Sequence, residues 1–78
     1  MKVKIFSPEK TIYESDISLM QLPGLDGSFE ILKNHAPIIS VLKKGSIRII
    51  DSNQKEIFFE INSGVIEGGY NIFNILIQ

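Results

Sequence analysis

The chain has 78 residues, a formal net charge of −1 and no cysteine, so it forms one small domain without disulfides or thiolate metal sites. Its eight Lys and Arg residues are dispersed and form no basic stripe, which argues against a nucleic-acid partner. No apolar run approaches the roughly 20 residues of a spanning helix, so we expect no membrane crossing.

The first residues of the chain, Met1-Lys2-Val3-Lys4, are basic but lack the apolar region and cleavage site of a secretory signal. We therefore expect a cytoplasmic protein. Fifteen isoleucines against a single alanine, Ala36, favour strands over helices, because β-branched side chains suit a pleated surface.

The first predicted strand, Lys2–Phe6, alternates apolar and polar residues and ends at a turn over residues 7–10. The second predicted strand covers residues 11–22. Its polar interruption at residues 14–16 predicts a bulge or bend.

Two turn clusters, residues 22–27 and 33–37, enclose a short predicted strand over residues 28–32. Pro23 fixes φ at the first turn, and Gly24 and Gly27 are free to take φ > 0, so we predict a rigid, presented loop. Period-two geometry turns Asp26, Ser28 and Glu30 outward and Phe29 and Ile31 inward. This acidic face is either a solvated edge or a docking surface for basic residues.

The remaining segments also predict strands. Residues 38–42 are apolar on both faces, which predicts a strand covered on both sides. Residues 46–50 and 56–61 flank a polar connection and should pair antiparallel, and residues 65–67 and 72–77 flank a turn over residues 68–71. Short strands at such spacings predict a small antiparallel sandwich or barrel.

No catalytic, cofactor-binding or metal-ligating residue is predicted. A zinc site is not expected, because the chain has no second His and no Cys to join His35. A serine nucleophile is not expected, because no Gly-x-Ser-x-Gly elbow occurs. Gly68-Gly69 is too short to form a phosphate-binding loop. Asn34 tolerates left-handed geometry and Pro37 favours an extended Ala36, so His35 is expected on a fixed corner.

Five motifs in order resemble the epsilon subunit of F-type ATP synthase. They are Met1-Lys2-Val3-Lys4-Ile5-Phe6-Ser7-Pro8-Glu9-Lys10, Leu22-Pro23-Gly24-Leu25-Asp26-Gly27-Ser28-Phe29, His35-Ala36-Pro37-Ile38-Ile39, Leu42-Lys43-Lys44-Gly45-Ser46-Ile47-Arg48-Ile49 and Ser63-Gly64-Val65-Ile66-Glu67. The resemblance implies that residues 1–78 form a flattened antiparallel β-sandwich of about eight to ten short strands.

The resemblance further implies a non-catalytic rotor subunit of the central stalk, which links the gamma subunit to the ring of c subunits and couples proton or sodium translocation to ATP synthesis. It would lie at the cytoplasmic side of the bacterial inner membrane, peripheral to it through the complex, with no cofactor and no small-molecule ligand. The implied c-ring interface comprises Asp26, Gly27, Ser28, Phe29 and Glu30, and the implied gamma interface comprises Ser7, His35 and Ser40.

This chain departs from the family pattern in three places. The family reads Phe-Gly-Val-Leu-Pro-Gly-His-Ala-Pro where residues 29–37 here lack two glycines and a proline, although Asn34 can replace one glycine at φ > 0. Many relatives have an acid in place of Ser28, and Glu30 on the same face could supply that charge. The sequence ends at Gln78, before the helical hairpin that commonly follows in the family, and we expect that hairpin to be either naturally absent or removed, so its brake and its nucleotide site are not carried over.

Two other classes of protein compete with this interpretation, besides an enzyme. A stand-alone β-sandwich adaptor that captures a partner peptide or protein would need an exposed, uncharged edge strand. A carrier domain would need a modified lysine on a hairpin tip, and the turn lysines Lys33, Lys43 and Lys44 lack the flanking residues of biotinyl or lipoyl domains.

Overall fold

The structure, a computed structural model, describes residues 1–78 and consists of eight β-strands joined by short turns. No helix of membrane-spanning length and hydrophobicity is present. The strands are β1 (Lys2–Phe6), β2 (Thr11–Gly24), β3 (Gly27–Leu32), β4 (His35–Leu42), β5 (Gly45–Asp51), β6 (Glu56–Ile61), β7 (Gly64–Tyr70) and β8 (Ile72–Ile77).

The long strand β2 belongs to both layers of the fold. Residues 11–16 of β2 pair with β1, and β8, β7 and β4 follow outward from β1. Residues 17–24 of β2 pair with β3 on one side and β5 on the other, and β6 completes that layer. The predicted all-β sandwich is confirmed.

A bulge at Ser18 lets β2 change layers. On β5, Ile17 pairs with Asp51 and Leu19 pairs with Ile50, so Ser18 is the extra residue. The prediction placed the bend slightly earlier, at residues 14–16. Because of this extra residue, the buried side chains of β2 are Ile17, Met20 and Leu22, whereas regular alternation from Ile17 would bury Leu19.

The core lies between the layers and contains no buried polar or charged side chain. Every strand contributes to it, and Phe73 of β8 is its largest side chain. Its thirteen members are Val3, Ile5, Ile17, Met20, Leu22, Ile31, Leu42, Ile47, Ile49, Ile61, Ile66, Phe73 and Ile75.

The predicted hairpins of β5 with β6 and of β7 with β8 are confirmed. The turn predicted over residues 68–71 was too long, since β7 continues through Gly68 and Gly69 and the chain reverses at Tyr70, where φ is 57°. One pair is not antiparallel: β1 runs parallel to β8, and the strands between them in the chain form the long connection that a parallel pair requires.

The prediction that residues 38–42 are covered on both sides was wrong. Ile39 is 80% exposed and Val41 is 51% exposed, whereas Leu42 is buried. Strand β4 forms the edge of its layer, and no element of this chain packs on its outer face. An apolar run predicts a strand but does not say whether another part of the same chain covers it.

Candidate functional site

The hairpin of β2 and β3 projects a tight, well-supported tip. Gly24 pairs with Gly27, which leaves Leu25 and Asp26 as the turn, and Gly27 has a φ of 130° that suits glycine. Gly24 is not at positive φ, contrary to the expectation from sequence. A Cβ on Gly24 would lie 2.6 Å from the carbonyl oxygen of Gly27, so glycine is required there for space.

Two backbone hydrogen bonds tie this hairpin to the neighbouring strand β4. The N–H of Leu25 donates to the carbonyl oxygen of Val41 at 3.0 Å, and the N–H of Lys43 donates to that of Pro23 at 2.9 Å. The β2 side of the tip is therefore fixed to β4. This geometry matches the rigid, presented loop that the turn residues predict.

The five residues predicted to face the c ring do not share one surface. Asp26 and Gly27 lie at the exposed tip, while Ser28 and Glu30 are exposed on the outer face of β3. Phe29 points to the other side and packs against the core. Four of the five residues are thus accessible, and Phe29 anchors the strand that displays them.

The carboxylate of Glu30 has no salt-bridge partner. Gln21 lies opposite Glu30 on β2, and Arg48 lies opposite Gln21 on β5, in a row across the outer face of this layer. The guanidinium of Arg48 is engaged elsewhere, since its Nε is 2.5 Å from Oε2 of Glu56. Glu30 and Asp26 therefore remain available to a cationic partner.

The three residues predicted to face gamma are also separated. Ser7 follows β1, and its Oγ accepts the N–H of Glu9 and of Lys10 in a closed turn. His35 lies at the opposite end of the same layer, and Ser40 lies along β4 between these ends. They can share one partner only if that partner spans the whole layer.

His35 opens strand β4 instead of standing on a turn, although the preceding Asn34 has the left-handed φ of 66° that its residue type predicts. The imidazole stands edge-on to the ring of Phe73, with centroids 6.4 Å apart. Its Nδ1 is 2.7 Å from the carbonyl oxygen of Ala36. A carbonyl only accepts, so Nδ1 carries the proton and the ring orientation is fixed.

A cleft of about 310 Å³ joins the two predicted surfaces. On one side it is formed by the hairpin tip and on the other by β4. The residues that line it are Gly24, Leu25, Asp26, Gly27, Phe29, Ile39, Ser40 and Val41. Ile39 and Val41 belong to the apolar run 38–42 that the sequence predicts as a strand covered on both sides, but no signal in the sequence marks β4 as an edge strand.

The structure contains no group of three His, Cys, Asp or Glu side chains placed to hold a metal ion. Its accessible features are the acidic hairpin tip, the cleft and the apolar outer side of β4. These features belong to surfaces rather than to an enclosed pocket.

This fold places the chain among the small two-layer β-sandwich domains. Residues 1–78 match the family model of the β-sandwich domain of the ATP synthase delta/epsilon chain. The chain belongs to this family, and the family predicted from the five sequence motifs is confirmed.

Named relatives agree with this assignment. The ATP synthase epsilon chain of Protochlamydia amoebophila is 34% identical over 74 residues, which are 95% of this chain and 50% of the relative. That of Chlorobium limicola is 38% identical over 66 residues, which are 85% of this chain and 75% of the relative. The chain thus spans between half and three quarters of the length of these two relatives.

Solved structures share the fold at low sequence identity. A chain of the Euglena gracilis mitochondrial ATP synthase structure with OSCP, F1 and c-ring superposes with a TM-score of 0.89 at 13% identity, covering 96% of this chain and 48% of that one. A chain of the Tetrahymena thermophila mitochondrial ATP synthase central stalk and c-ring gives a TM-score of 0.83 at 19% identity, covering 100% of this chain and 63% of that one.

Proposed function

We propose that this chain is a non-catalytic rotor subunit of the central stalk of an F-type ATP synthase. It joins the gamma subunit to the c-subunit ring and so helps to couple proton or sodium translocation to ATP synthesis. The observation that carries the proposal is the family match, which extends over all of residues 1–78. The complex would hold the chain at the cytoplasmic side of the bacterial inner membrane.

The interior of the domain suits a part that transmits torque. Its thirteen core residues are all apolar and draw on every strand, and the two layers share β2 as one continuous strand. Close-packed interiors have low compressibility and transmit strain rather than absorb it. A domain built in this way passes rotation from a shaft to a ring with little bending.

We assign the contact with the c ring to the hairpin tip and the outer face of β3. Asp26 and Glu30 supply negative charge there, and neither has a salt-bridge partner within the chain. The loops of the c ring in this family carry an arginine, which complements these carboxylates. Gly27 and Ser28 would bring the backbone close to the ring, while Phe29 holds the strand in place.

We assign the contact with gamma to the layer that contains β4. Ser40 lies in the cleft, His35 lies at the start of β4 and Ser7 lies at the far end of the layer. The exposed side chains of Ile39 and Val41 add apolar area to this surface. Permanent interfaces are more apolar than transient ones, so an uncovered apolar strand fits a partner that stays bound.

The test of the c-ring contact is charge reversal at the hairpin. Asp26→Lys and Glu30→Lys should each weaken attachment to the c ring, because the new ammonium would repel the arginine of the ring loops. The measurement is the amount of c ring that co-purifies with the subunit and gamma in mild detergent. Glu14→Lys, at an exposed position in the other layer that has no salt-bridge partner, is the matched control and should not change recovery. Unchanged recovery with both hairpin variants would overturn this contact.

A stand-alone adaptor is the second candidate function, and the edge strand β4 favours it. Strand β4 is exposed and contains no charged residue, as such an adaptor requires. The two candidates differ in their partners. Recovery of the chain without gamma and without the c ring under mild detergent would favour the adaptor.

A further inference from the structure

The edge of β4 differs from the other edges of the sandwich. The edge strands of the two layers are β3, β6, β4 and the first half of β2. Three of these four strands carry carboxylates, which are Glu30 on β3, Glu56 and Glu60 on β6, and Glu14 and Asp16 on β2. Charges of this kind prevent an edge from pairing with another strand. Strand β4, His35–Leu42, has no charge, so its edge lacks this protection.

Part of the β4 edge already forms the beginning of a ladder. Gly24 of β2 pairs with Leu42, and the carbonyl oxygen of Val41 accepts the N–H of Leu25 at 3.0 Å. After this hydrogen bond the chain turns away into the hairpin tip. The ladder on this side of β4 therefore stops after one pair of residues.

The backbone groups that would continue this ladder have no strand beside them. Successive residues of a strand direct their N–H and C=O groups to alternate sides. Because the carbonyl of Val41 faces β2, the N–H of Val41 and both backbone groups of Ile39 face the same open edge. Towards the start of β4, the usable edge ends at Pro37, which has no N–H, and at the irregular pairing between His35 and Ile38.

The side chains around this edge define the partner. Ile39 and Val41 are exposed on the outer face, where extended apolar side chains would pack on them. Asp26 lines the cleft beside the edge, and Glu67 lies opposite Ile39 on β7. A second copy of this chain paired edge to edge would bring the same carboxylates towards each other, whereas a segment that carries Lys or Arg would be attracted.

We propose that the edge of β4 at Ile39 and Val41 is a strand-addition site for an extended segment of the gamma subunit. This segment would have apolar residues at alternate positions and a Lys or Arg beside Asp26 or Glu67. The proposal rests on the proposed function and deepens it, because it replaces side-chain docking with a continuous backbone ladder between shaft and sandwich. Such a ladder resists sliding of the two chains along the strand.

Residue-resolved amide hydrogen exchange tests this proposal. We expect the amides of Ile39 and Val41 to exchange at least about tenfold more slowly in the complex with gamma than in the free subunit, because each becomes hydrogen-bonded. The amides of Ser40 and Leu42 already face β7 and serve as internal controls. A complex in which Ile39 and Val41 exchange as fast as in the free subunit would overturn the strand addition and leave the rotor function standing.

A pair of variants tests the same backbone group by affinity. Ile39→Pro removes the outward N–H, and proline is tolerated at such an edge position, whereas Ile39→Val keeps both the N–H and a β-branched side chain. We expect Ile39→Pro to bind gamma at least about tenfold more weakly and Ile39→Val to bind nearly as the parent. Equal binding by Ile39→Pro in a folded state would contradict the ladder.

Two further outcomes separate this proposal from the function on which it rests. If no complex with gamma forms at all, both the rotor function and the strand addition fail. If Ile39 and Val41 become protected in the free subunit as its concentration rises, a second copy occupies the edge and the assignment to gamma is wrong.

Discussion

Single residues determine whether the hairpin tip is rigid. Gly27 provides a φ of 130°, Gly24 provides space beside the ring of Phe29, and Asn34 provides a left-handed φ of 66° at the next turn. The residue types predicted positive φ correctly at Gly27 and Asn34 but not at Gly24. Glycine is required for two different reasons, and the sequence does not distinguish between them.

Two phenylalanines, one buried and one exposed, test the assignment of the core. Phe73 is 0% exposed at the centre of the core, and Phe58 on β6 is 56% exposed. Phe73→Ala should lower the free energy of unfolding by about 3–5 kcal/mol, from lost burial and the cavity left behind. Phe58→Ala should change it by less than about 0.5 kcal/mol. Urea unfolding measures both values, and equal losses would contradict the assignment of the core.

At the scale of the element, β2 decides the architecture because it serves both layers. Its bulge at Ser18 keeps Ile17 and Met20 inward on either side of the crossing. A regular strand of the same residues would instead turn Leu19 inward and Met20 outward.

Deletion of Ser18 tests the role of the bulge. The deletion would make Ile17 and Leu19 consecutive opposite Asp51 and Ile50, so Ile17 would stay inward. It would remove the local bend by which β2 passes between the layers, and it should therefore cost about 1–3 kcal/mol of unfolding free energy. The measurement is the urea midpoint together with the near-ultraviolet circular dichroism of the tyrosines. Insertion of one glycine after Ser52, in the exposed turn between β5 and β6, is the control and should be tolerated. Native stability after the deletion would show that the bulge is dispensable.

Strand β4 shows how far an element can be predicted from sequence. Its apolar residues predicted a strand correctly, but the prediction that both faces are covered was wrong. The pattern is the same for a central strand and for an edge strand that another protein covers, because burial in a partner and burial in a core select the same side chains. Only the pairing of β4 with β7 on one side reveals the open edge.

At the scale of the whole molecule, the small core limits stability. A domain of 78 residues buries only about 60–65% of its unfolded surface, and this one has no cysteine for a disulfide to supplement its thirteen core residues. We expect the isolated subunit to fold with a modest melting temperature, about 45–65 °C. Binding to gamma should raise this temperature by mass action. Calorimetry of the free subunit and of the complex checks both statements, and a value above about 90 °C for the free subunit would contradict the first.

The sequence by itself determined the fold class, most of the strands, the tight hairpin tip and the family. These properties depend on local turn chemistry, on period-two alternation and on motifs in a fixed order. The tertiary structure alone decided that β1 pairs parallel with β8, that Ser18 is the bulge, that Ser7 and His35 lie at opposite ends of one layer, and that β4 is an uncharged open edge beside Asp26. Each of these features depends on which distant strands become neighbours. That pairing is stabilised by packing throughout the core, and no local pattern of residues specifies it.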